Sequence, residues 1–165
     1  MRILSILTMG AGLLLTPAFS QAQAERARDL AKISDIEINL MRKDLRDQKK
    51  QVVAANLPLT GDEAAGFWPL YDAYTQETIK VNDQRYGLVK EYAANYNTMT
   101  DAQADSFIRR WIAVDEMATK LRLKWIPDFG HLLGPKKAAM FFQIDRRTGM
   151  MIELQLASQL PLIQP

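Results

Sequence analysis

The stretch MTDAQADSFIRRWIAVDEMATKLRLKWIPDF, residues Met99–Phe129, decides the fold. It contains no glycine, and its only proline is Pro127. Phe107, Trp111, Val114, Ala118, Leu121 and Trp125 follow one another at spacings of 4, 3, 4, 3 and 4. That rhythm places all six on one stripe of an α-helix, as in a coiled-coil seam. Ile108, Ile112 and Ile126 widen the stripe, so the helix calls for more than one packing partner.

Working outward, the same chemistry recurs on both sides. Thr100 is an N-cap with Gln103 at N3, and Met99 and Ala104 stand at the positions of a hydrophobic staple. Asp101 and Asp105 fall early in the helix and Lys120, Arg122 and Lys124 late, which complements its dipole. Upstream, Asn95-Tyr96-Asn97-Thr98 forms a turn. Before it, Phe67, Tyr71, Tyr74, Thr78, Val81, Leu88 and Tyr92 share one side of a helix expected over 61–97 and bent at Pro69. Thr60 caps that helix with Glu63 at N3, and Leu59 precedes the cap. Two long helices joined by a short turn run antiparallel.

Leu57-Pro58-Leu59 separates this hairpin from an earlier helix, because proline disfavours a helical residue before it. That helix opens with a Ser34/Glu37 capping box and carries Ile38, Met41, Leu45, Val52 and Ala55 as its apolar stripe. Arg42, Lys43, Arg46, Lys49 and Lys50 lie opposite, interleaved with Asp44 and Asp47. They form a solvated face or a cationic rim beside an apolar groove. Downstream, Pro127 and Gly130-His131-Leu132-Leu133-Gly134 close the hairpin. Pro135 then starts a last helix at N1, with Ala138, Phe141, Ile144, Thr148, Met151 and Gln155 as its stripe and a stop near Leu160-Pro161. No stretch alternates with period two. The expectation is an all-α chain of four helices around a long antiparallel central hairpin.

The first residues have a different character. Arg2, the apolar run Ile3–Leu15 and Ala22-Gln23-Ala24 have the pattern of a signal peptide cleaved after Ala24, and Ala18-Phe19-Ser20 is a second candidate site. The run is shorter than the roughly 20 residues that span a bilayer. Residues 1–24 are thus expected to be a signal peptide and 25–165 a single helical domain, exported to the periplasm with no stable membrane insertion after cleavage. The chain has no cysteine, which excludes a disulfide scaffold and a lipid anchor on cysteine. The formal net charge is +2; without Arg2, the only charge in residues 1–24, it is +2 − 1 = +1. That balance does not mark a nucleic-acid binder.

Catalytic constellations are missing from the pattern. One histidine and no cysteine leave no nucleophile–base arrangement, and no metal set is spaced around His131. The methionines read as core filler, and no cofactor is expected.

Leu59-Thr60-x-x-Glu63 and Met99-Thr100-x-x-Gln103 are two helix starts of one design, 40 residues apart. Placed twice in a small, cysteine-free helical chain with an export signal, the pattern resembles the LTxxQ motif of the Spy/CpxP family of periplasmic proteins. Glu63 stands where that motif has glutamine and Met99 where it has leucine. The resemblance implies four helices, cradle-shaped dimers of antiparallel hairpins, and ATP-independent chaperone or envelope-stress activity toward unfolded proteins. The histidine-rich segments of zinc-binding relatives have no counterpart here. A non-catalytic adaptor for a dedicated envelope partner is the alternative, and a metal-sensing relative a more remote one. Client contact is assigned to Arg42, Lys43, Arg46, Lys49, Lys50, Phe67 and Trp68. Phe67, Trp68, Tyr71 and Tyr74 span a wide arc. With the isoleucines of the next helix they point to a homodimer through the Met99–Phe129 face.

Overall fold

The computed structural model describes residues 35–158 together with Leu160, Leu162 and Ile163; residues 1–34, including the expected signal peptide and Ser34, lie outside the described residues. Among the described residues four helices follow in order: α1 (Asp35–Asn56), α2 (Gly61–Asn95), α3 (Asp101–Leu133) and α4 (Pro135–Ala157). No strand occurs among the described residues.

Contacts between α2 and α3 descend along one helix as they ascend along the other. Tyr92 stacks on Phe107 with ring centroids 4.9 Å apart, Arg85 meets Asp115 at 2.8 Å, Lys124 meets Glu77 at 2.6 Å, and Tyr74 meets Trp125 and Phe129. Both internal prolines are accommodated. Pro69 and Pro127 sit on exposed positions, where the carbonyls that lose a backbone donor, on the exposed residues Ala65 and Leu123, are open to water. Pro127 therefore does not end the hairpin as the sequence suggests. The helix continues to Leu133, and His131 lies in its last turn rather than in a loop. The break comes at Gly134, whose φ of 75° and ψ of 158° suit a residue without a Cβ.

The core has two centres. In the first, Phe67, Phe129 and Phe141 are fully buried among Tyr71, Tyr74, Trp125, Val53, Leu57, Leu133 and Ala138. Edge-to-face and tilted contacts link these rings, as between Phe129 and Phe141 at 4.4 Å and Phe67 and Phe141 at 5.4 Å; such pairs add to the stabilisation from burial alone. The second centre, Leu88, Tyr92, Tyr96, Phe107 and Val114, seals the far end of the hairpin. One chain therefore accommodates the wide aromatic arc of α2, which removes that part of the argument for a second copy.

Two faces differ from the sequence reading. In α4, Met151 is 71% exposed, and the inward residue after Ala138 and Phe141 is the acid Asp145, with Ile144 beside it. In α1 the helix is turned about a quarter revolution from the expected stripe, with Leu45 on the border between the two faces. Val53 is fully buried, Arg42, Leu45, Arg46, Lys49 and Lys50 are half-buried on the same side, and Met41, Val52 and Ala55 face outward. Arg42, Lys49 and Lys50 thus face the bundle, while Lys43 stays on the outer side. The first three do so because acids on α2 and α4 await them.

Candidate functional site

All four helices meet at Asp145. This carboxylate is 1% exposed. Its Oδ2 accepts a hydrogen bond from the Tyr74 hydroxyl at 3.0 Å and another from Arg122 Nε at 3.3 Å. Oδ1 receives no directed hydrogen bond and is met instead by the Lys49 ammonium, as an ion pair at 2.5 Å. A buried carboxylate is tolerated only when it is paired and hydrogen-bonded, and here α1, α2 and α3 each contribute one partner. Burial and the Asp145 charge push the Tyr74 hydroxyl well above its usual range. Asp145 is missed by a reading from periodicity, since one acid inside an apolar stripe looks like a shift of register.

The other cations of α1 reach α2. Arg42 pairs with Asp83 and its guanidinium lies 5.3 Å from the centre of the Tyr86 ring. Lys50 pairs with Asp72 at 2.8 Å and lies 5.3 Å from the Trp68 ring and 5.8 Å from the Tyr71 ring. Lys43 pairs within its own helix, with Asp47 at 2.8 Å, and that hydrogen bond is the main cause of the raised lysine and lowered aspartate pKa values. Among the described residues, no Cα of α1 comes within 8 Å of α2, whereas α1 packs closely on α4. The α1–α2 seam is therefore wide and bridged by long side chains. A shallow depression of about 340 Å³ opens on it, lined by Asp47, Lys50, Gln51, Ala54 and Trp68.

Of the seven residues assigned to client contact, Phe67 is 0% exposed and belongs to the core; no client can touch it without unfolding α2. Trp68 is half-buried beside Lys50. Lys49 is held by Asp145, and Arg42 and Lys50 by α2. Three cations of the expected rim are thus paired with acids of α2 and α4, and Lys43 stays exposed.

Both helix starts form reciprocal caps. The Thr60 hydroxyl accepts from the Glu63 N–H at 3.3 Å while the Thr60 N–H donates to Glu63 Oε2 at 2.8 Å. The Thr100 N–H donates to Gln103 Oε1 at 2.9 Å, and the Gln103 N–H to the Thr100 hydroxyl at 3.4 Å. Leu59 packs against the first core centre and Met99 against the second.

No family model, curated protein or solved structure matches this chain.

Several apolar side chains of α3 and α4 are also open to solvent. On α3, Ile108 and Ile112 are each 51% exposed, Leu123 62% and Ile126 44%. A depression of about 510 Å³ lies along Asp105, Ile108, Arg109, Ile112, Ala113 and Glu116. On α4, Met140, Met150, Met151 and Leu154 are exposed next to Arg146 and Arg147. Among the described residues no helix is long and apolar enough to cross a membrane, and no group of three His, Cys, Asp or Glu side chains is placed to hold a metal ion.

Proposed function

We propose that this chain is an exported, non-catalytic helical binding protein that shields apolar segments of unfolded clients, as its resemblance to the Spy/CpxP family implies. The observation that carries the reading is the outward face of α4. Met140, Met150, Met151 and Leu154 lie exposed there with Arg146 and Arg147 between them. Methionine is unbranched and adaptable, and a surface built of it repacks against many partners. Exposed apolar patches of this kind are what interaction surfaces need and what isolated monomers avoid. The flanking arginines attract acidic segments and keep the patch wet at its rim.

The isoleucine stripe of α3 supports association with a second copy. Ile108 and Ile112 on one half of the helix are matched by Leu123 and Ile126 on the other, so an antiparallel pairing sets Ile112 against Leu123 and Ile108 against Ile126. Glu116 then faces Lys120 across the pair. In this arrangement α3 forms the dimer seam and α4 remains available to clients. Protection of an unrelated aggregating substrate, followed by light scattering, tests the reading; an adaptor devoted to one partner leaves that substrate unprotected.

A further inference from the structure

The placement of cations on the inward side of α1 goes beyond that reading. A helix with an apolar stripe ordinarily buries the stripe. Here Met41 and Val52 of the stripe are 46% and 39% exposed and Leu45 is half-buried, while Arg42, Lys49 and Lys50 are directed at Asp83, Asp145 and Asp72. Among the described side chains, full burial falls at the C-terminal end, at Val53 and at Leu57 just past the helix; Leu45 is half-buried and Lys49 is held by the buried Asp145. The rest is fastened by charge, and exposed ion pairs contribute little once salt or a competitor is present. The Arg42–Asp83 and Lys50–Asp72 pairs are of that kind, with the two aspartates 55% and 58% exposed.

We infer that the groove between α2 and α4 is a binding surface for basic helical segments of other proteins, and that α1 is its built-in, displaceable occupant. The groove supplies carboxylates at Asp72, Asp83 and Asp145 and ring faces at Trp68, Tyr71 and Tyr86. Both groups recognise ammonium and guanidinium ions, the rings through cation–π contact. The occupant in place defines the ligand: a helix with cations seven and eight residues apart, as Arg42, Lys49 and Lys50 are, and a β-branched apolar residue one turn beyond, as Val53 is. Peeling of α1 starts at Asp35 and pivots at Leu57-Pro58, because the anchors lie at that end. Peeling parts no close backbone contact with α2; what it has to part is the packing of α1 on α4 and the Lys49–Asp145 pair.

The test uses the full chain and two double variants. Arg42→Gln/Lys50→Gln releases α1 and leaves the acids of the groove in place. Asp72→Asn/Asp83→Asn releases α1 and removes two of them. The probe is a labelled synthetic peptide of residues 35–57, with hydrogen exchange as a second readout. The expected result is at least tenfold faster exchange of residues 35–50 in both variants, with 101–133 unchanged. The first variant then binds the peptide at least tenfold more tightly than the parent, and the second does not. Unchanged exchange in both variants, or equal peptide affinity in the two, overturns the inference. Protection by the parent chain in the light-scattering assay, without peptide binding by the first variant, removes the groove and leaves client shielding intact; peptide binding without protection does the opposite.

Discussion

Lys137, in the first turn of α4, holds the carboxylate with which Glu63 caps α2: its Nζ donates to Glu63 Oε1 at 2.8 Å and to Oε2 at 2.6 Å. The Thr60 N–H donates to the same Oε2. One side chain thus closes a helix start and ties it to a helix 74 residues away in sequence. This accounts for glutamate rather than glutamine at the first of the two repeated caps, whereas Gln103, at the second, has only Thr100 to satisfy among the contacts described.

Lys137, and after it the Thr60 N–H, hold the Glu63 carboxyl below its ordinary value of 4.5. Stabilisation by a depressed carboxylate is present above 4.5 and is lost as pH falls through the lower folded value. Glu63→Gln keeps an oxygen for the cap and loses the ion pair, so its stability falls less steeply below pH 4.5 than that of the parent. Thr60→Ala and Thr100→Ala each lose the cap hydroxyl and about 0.5–2 kcal/mol. Chemical denaturation across pH 3–7 measures both effects; a variant with the acid limb of the parent contradicts the role of the Lys137 pair.

Among the described residues, Asp145 is the one buried charged side chain. Asp145→Ala leaves Lys49 and Arg122 facing each other in a partly buried site, their side chains only 18% and 29% exposed. Removing one side of a buried pair costs about 3–5 kcal/mol. Lys49→Met costs less, because Arg122 and the Tyr74 hydroxyl still meet the carboxylate. The order of the two denaturation midpoints checks this, with the Asp145 variant lower.

Alkaline pH attacks the aromatic core. Burial is the main cause that pushes the Tyr71 hydroxyl from 10.0 to about 12, and the charges of Asp145 and Asp72 add to it. Because the folded chain holds this proton more tightly than the unfolded chain, the stabilisation is complete below pH 10 and is lost as pH rises from 10 to 12. Tyrosinate absorbance and helicity should therefore change together above pH 10. Full titration of the tyrosines with helicity unchanged contradicts the buried placement of Tyr71 and Tyr74.

The central hairpin was readable because its apolar spacing is local. Phe107, Val114 and Trp125 are buried where a period of 3.5 places them, and the caps at Thr60 and Thr100 lie within three residues of their partners. The orientation of α1 was not readable in the same way. Its apolar stripe is regular, but the energy that turns it outward comes from Asp72, Asp83 and Asp145, which are 22 to 96 residues away from their cations in sequence: Lys50 to Asp72 and Lys49 to Asp145. Periodicity places Phe67 on a stripe without saying which helix covers it; Phe141 and Phe129 do so.

Association through α3 is decided by sedimentation of the chain at micromolar concentration. The isoleucine stripe predicts a species of dimer mass, which Ile112→Glu converts to monomer without loss of helicity. A single species of monomer mass for the unmodified chain contradicts the dimer.

Client shielding is tested most directly by light scattering from an unrelated substrate aggregating in the presence of this chain. The account predicts suppression that rises with chain concentration and falls severalfold in Met151→Glu/Leu154→Glu, two exposed positions whose replacement leaves the core intact. Scattering that the unmodified chain leaves unchanged, even in excess over the substrate, contradicts the account.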